Sequence, residues 1–71
     1  MSAPSTAQRA GWADEALQAF IARTGSDCED CLADLLADLM LWADKCHLSF
    51  AEELHRARYH YAAKLTEGGD A

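Results

Sequence analysis

Apolar positions recur three and four residues apart along most of the chain, interrupted at two short polar stretches. Ala13, Ala16, Leu17, Phe20 and Ile21, with Trp12 beside them, mark a first helical face. Ser5-Thr6-Ala7-Gln8 has the form of a capping box, Gly11 weakens the first turns and makes Trp12 the alternative start, and Gly25 supplies a left-handed stop. Ser26-Asp27-Cys28-Glu29 then reads as a second capping box. It opens a helix to about Lys45 or Cys46 with the seam Cys28, Leu32, Leu35, Leu36, Leu39, Trp42, Ala43 and Cys46. After Cys46-His47-Leu48, a third box at Ser49-Phe50-Ala51-Glu52 opens a helix to about Leu65, with Phe50, Leu54, Ala57, Tyr61 and Leu65 as its seam.

These elements predict an all-α fold: three short helices joined by two- to three-residue connections in an antiparallel array, the second and third as a hairpin. Residues 1–71 form a single helical domain with loose ends at 1–4 and 66–71. At 71 residues the chain is near the lower limit for folding alone. Two tryptophans, two tyrosines and the off-seam Met40 and Leu41 exceed what so small a core hides. A helical-bundle homodimer is the economical expectation.

Charge and cysteine content narrow the function classes. The net charge of −6 argues against nucleic acid as a direct ligand, since such binding rests on neutralising phosphates. Six acids and no base lie between Asp27 and Asp44, whereas four bases face two acids between Lys45 and Lys64, an asymmetry suited to antiparallel helix packing. No apolar run approaches a membrane span and the first residues lack the pattern of a secretory signal, so no membrane role is expected. An odd count of three cysteines suits reduced thiols in a cytoplasmic protein.

Three groups of residues are candidate chemistry. Cys28-x-x-Cys31 has redox or zinc spacing, but the surrounding Asp27, Glu29 and Asp30 disfavour a thiolate. Cys46 and His47 would reach it only from a second copy, so Cys28 is expected in the core and Cys31 at its margin. His55, Tyr59 and His60, with Arg56 and Arg58, have no nucleophile at a matching spacing and read as polar aromatics on a helix flank. Asp30, Asp34 and Asp38 recur every four residues along one ridge, which costs a few tenths of a kcal/mol per like-charge pair. That ridge is a solvated face, a set of Mg²⁺ ligands, or a docking surface for a basic protein.

The run LADLLADLMLWADKCHLSFAEELHRARYHYAAK resembles the second half of the MazG-like all-α nucleotide pyrophosphohydrolases, through the turn Ala43-Asp44-Lys45-Cys46-His47-Leu48. The resemblance implies Mg²⁺-dependent hydrolysis of nucleoside triphosphates, with the metal on a Glu-x-x-Glu and a later Glu-x-x-Asp. Of those ligands this chain keeps Asp34; Cys31 replaces the preceding Glu, and Glu15-x-x-Gln18 stands where Glu-x-x-Glu is required. The core D-L-L-x-D-L-x-x-W-x-D also resembles small proteins of phages and other bacterial mobile elements. That likeness implies a protein that works by occupying another protein, as anti-CRISPR and anti-restriction factors do. The expectation is therefore a non-enzymatic dimer with no metal or cofactor. It engages a basic protein surface through Asp27, Asp30, Asp34, Asp38 and Asp44, with Met40, Leu41 and Trp42 as apolar anchors. The alternative is a Mg²⁺-dependent hydrolase assembled across a dimer.

Overall fold

The computed structural model describes residues 3–68, so the expected loose ends at residues 1–2 and 69–71 lie outside the described part. Three helices follow one another, α1 (Thr6–Thr24), α2 (Cys31–Lys45) and α3 (Phe50–Gly68), and the described residues contain no strand. Each helix packs against the other two.

Helix α1 begins at Thr6 and not at Trp12. The capping box is formed in full: the Ser5 hydroxyl accepts from the Gln8 N–H at 3.0 Å, and the Gln8 side chain accepts from the Ser5 N–H at 2.9 Å. Two satisfied N–H groups outweigh the glycine at position 11, which costs a helix interior about 1 kcal/mol. Arg9 lies over the Trp12 ring at 5.8 Å and adds a cation–π contact to the first turns. At the other end Gly25 takes φ 73° and returns its N–H to the Ile21 carbonyl at 2.8 Å, the left-handed stop expected of it.

The start of α2 corrects the sequence reading. Ser26 does not cap, and the helix opens at Cys31, so residues 25–30 form a connector longer than expected. The Ser26 hydroxyl lies in the connector and donates to the Asp34 carboxylate one turn into the helix. A turn closed by the Asp30 N–H on the Asp27 carbonyl, 3.0 Å, leads into the helix instead. The two cysteines exchange their expected places as a result. Cys31, 4% exposed, is buried with its thiol donating to the Cys28 carbonyl at 3.3 Å, while Cys28 is exposed in the turn.

Helix α2 ends in a Schellman motif whose left-handed residue is His47, φ 59°. The Leu48 N–H reaches back to the Ala43 carbonyl at 2.8 Å and the His47 N–H to the Asp44 carbonyl at 3.1 Å. A side chain at such a φ costs about 1 kcal/mol. His47→Gly should therefore stabilise the chain by about 0.5–1 kcal/mol and raise the melting temperature by about 3–6 °C at matched concentration. Thermal melts followed by circular dichroism check this, and a lowered melting temperature would mean that the imidazole makes a compensating contact.

Ser49 caps α3 by accepting from the Glu52 N–H at 3.2 Å. The helix continues past Leu65 to Gly68, so residues 66–68 are helical and not part of a loose tail. Thr66 extends it by donating to the Ala62 carbonyl at 3.3 Å.

The interior is thin. Cys31 and Ala43 (3% exposed) are the buried apolar side chains, one at each end of α2 beside a connector. Between them Leu35 is half-buried, while Leu32, Leu36 and Leu39 stay exposed although they belong to the inner seam. The total accessible surface is 5938 Å², against roughly 4,400 Å² for a compact monomer of 7.8 kDa. The radius of gyration of 14.1 Å likewise exceeds the roughly 11 Å of a compact 71-residue domain.

Candidate functional site

The acids of α2 occupy its outer face because the apolar seam turns inward. At about 100° per residue, Asp30, Asp34 and Asp38 fall on one ridge, with successive carboxylates about 6 Å apart along the axis. All three are exposed, as are Asp27 in the connector and Asp44 at the helix end. The same rotation brings Leu41 onto the ridge beside Asp34 and Asp38, 67% exposed. Met40 and Trp42, both exposed, flank the ridge on opposite sides, Trp42 toward the inner face and Met40 toward Asp44. The expected partner-binding residues are thus all at the surface. Asp30, Asp34, Asp38 and Leu41 form its compact centre, and Asp44 and Met40 lie to one side.

Among the described residues, no base pairs with this ridge. Among the described residues, the ion pair formed is Arg56 with Glu53 at 3.1 Å, within α3. The acid–base asymmetry between α2 and α3 therefore does not become a set of cross-helix pairs. Asp34 has one internal partner, the Ser26 hydroxyl, a contact hidden from the sequence reading because Ser26 was credited with the cap. Asp30 stands at the N-cap position without a side-chain bond to the helix. Asp38 is far enough along the helix that the dipole gives it no help.

Among the described residues, no three His, Cys, Asp or Glu side chains gather to hold a metal ion. The ridge explains why: carboxylates on successive turns point outward along a line, whereas Mg²⁺ needs oxygens converging at about 2.1 Å. Cys28 is exposed and Cys31 buried, and Cys46 lies exposed at the far end of α2. The third candidate group does assemble. His55, Arg56, Tyr59 and His60 line a shallow depression of about 250 Å³, with the Tyr59 and His60 rings edge to face at 6.3 Å. All four come from one exposed face of α3, and Arg56 is engaged by Glu53.

The sequence reading missed an apolar groove. One part, about 350 Å³, runs between Ala10, Ala13 and Leu17 of α1 and Leu32 and Leu35 of α2. A second, about 240 Å³, lies between Thr6, Arg9 and Ala10 of α1 and Tyr61, Lys64 and Leu65 of α3. They meet at Ala10. The available signal was the small side chains at Ala10 and Ala13, on the α1 face that carries Leu17, Phe20 and Ile21. Among the described residues, no helix is long and apolar enough to cross a membrane. Comparison with family models, with curated proteins and with solved structures gave no match.

Proposed function

We propose that this chain is a non-enzymatic, dimeric binding protein that occupies a basic surface of another protein through the acidic ridge of α2. The observation that carries this reading is an unneutralised row, Asp30, Asp34 and Asp38, with an exposed leucine set into it. Like charges on successive turns weaken a helix; the helix N-terminus offsets part of that cost at Asp30 and Asp34, Ser26 a further part at Asp34, and neither reaches Asp38. A basic partner would recover the rest, and Leu41 would supply an apolar anchor at the centre of the patch. The resemblance of the α2 core to small proteins of phages and mobile elements favours an inhibitor or adaptor role in the cytoplasm. The free thiols of Cys28, Cys31 and Cys46 fit a reducing compartment.

The test is affinity capture from a lysate of the host cell, comparing the wild-type chain with Asp34→Lys/Asp38→Lys. The expected result is a basic protein retained by the wild type, released by salt, and not retained by the variant while its helix content is unchanged. Equal retention by both forms would overturn the reading. Release of pyrophosphate from nucleoside triphosphates in the presence of Mg²⁺ would favour a hydrolase in its place.

A further inference from the structure

We infer that the groove over Ala10 and Ala13 is the self-association face, and that its occupant is the same groove of a second copy of this chain. This rests on the dimeric part of the proposed function and is independent of what the acidic ridge binds.

The inner stripes of α1 and α3 stop being covered partway along each helix. In α1 the stripe is half-buried at Leu17, Phe20 and Ile21 and exposed at Ala10 and Ala13. In α3 the same change runs the other way: Phe50 is half-buried, whereas Tyr61 and Leu65 are exposed. The open part of α1 and the open part of α3 lie side by side at one end of the molecule, and exposed Leu32 of α2 borders them. Three stripes that should meet in a core instead open on two adjoining depressions that share Ala10. An outward-facing apolar patch can be dismissed as scatter; three inward-facing ones cannot.

The surface area fits a second copy as the occupant. Taken over its whole surface, the chain exposes about 1,500 Å² more than a compact monomer of its mass. A standard interface covers about 800 Å² on each partner, and obligate homodimers cover more. The excess is large enough for such an interface, and a second copy supplies the cover without any further component. Charge supports the pairing: Arg9 and Lys64 border one end of the groove and Asp14 the other. A two-fold axis brings the basic end of each copy toward the acidic end of its partner. The alanines let two α1 helices approach closely, as helices do over small side chains. The acidic ridge of α2, on the opposite face of that helix from the seam, stays outside.

The experiment uses the full chain. Sedimentation equilibrium is expected to give a dimer for the wild type. Ala13→Glu is expected to raise the dissociation constant by at least about 100-fold, since it buries an unpaired charge only in the dimer. Ala13 is exposed in the single chain and glutamate is a good helix former, so the protomer is expected to keep its helix content. Tyrosine nitration of the wild type gives a second readout that needs no variant. Tyr61 and Tyr59 are comparably exposed in one chain, 66% and 75%, but only Tyr61 borders the groove. Protection of Tyr61 with Tyr59 reactive is the expected result, and it decides the matter if Ala13→Glu unfolds. A monomeric wild type would overturn the dimer itself. A dimer in which both tyrosines react alike would overturn this face while leaving the dimer of the proposed function standing. Neither result touches the acidic ridge.

Discussion

Replacing Ala43 by leucine should unfold a large part of the population at temperatures where the parent chain is intact. Among the described residues, Ala43 is one of two buried apolar side chains, and its own carbonyl receives the Leu48 N–H that turns the chain out of α2. Three added carbons have no space there, and the backbone cannot retreat without breaking the Schellman bonds. Overpacking of this kind costs about 1–3 kcal/mol, and a pinned backbone puts it toward the upper end. A 71-residue domain has a total stability of about 4–10 kcal/mol, so the melting temperature should fall by about 10–20 °C. Ala37→Leu, on the exposed outer side of the same helix, is the control and should shift stability by less than about 0.5 kcal/mol. Equal melting temperatures for the two variants would show that the α2–α3 corner is looser than the enclosed Ala43 implies.

The second large effect concerns recognition. Asp34→Lys/Asp38→Lys replaces two attractions toward a basic partner by two repulsions. Like charges placed together at an interface cost several kcal/mol, so affinity should fall at least about 100-fold. The two positions contribute differently to the protein itself. Asp34→Lys removes the acceptor of the Ser26 hydroxyl and an acid from the first turn of α2, which together cost about 1–2 kcal/mol of stability. Asp38 has no such partner, and Asp38→Lys relieves its repulsion from Asp34, so the single variant should be as stable as the parent or slightly more so. Asp38→Lys is therefore the cleaner probe. Weakened capture by a chain of undiminished stability would separate recognition from folding; undiminished capture would remove Asp38 from the interface.

Local signals in the sequence were reliable where nothing distant competed with them. Ser5 and Gln8 cap α1 as their spacing implies, and Gly25 stops it in the left-handed region where a glycine is favoured. Ser26 and Glu29 have the same spacing as Ser5 and Gln8, yet no box forms: the helix starts only at Cys31, and the Ser26 hydroxyl donates to Asp34 from the connector. Four-residue windows cannot register a partner eight residues away. Cys28 loses its expected seam position with that shift, since it lies in the connector ahead of the helix. The acidic ridge was legible because helical rotation alone puts Asp30, Asp34 and Asp38 in line. Leu41 on the same ridge was recognised as off the seam but not as its neighbour. Periodicity identified the half-buried Leu17, Phe20 and Ile21 of α1, whereas of the expected α3 seam Phe50 alone is half-buried; the pattern reports which face is apolar and not whether one chain is enough to cover it. The groove at Ala10 lies beyond that limit.

On the dimer inferred above, the half-open interior would tie the existence of the folded protein to its abundance. If the inner stripes are closed by a second copy, each tenfold fall in concentration removes about 1.4 kcal/mol from the stability of the assembled pair. For so small a domain that is a sizeable fraction of the whole. Scarce chains would spend longer open and be cleared by proteolysis, whereas abundant chains would protect one another. Such a protein has a dose threshold built into its fold: a trickle of synthesis leaves little behind, and a burst accumulates.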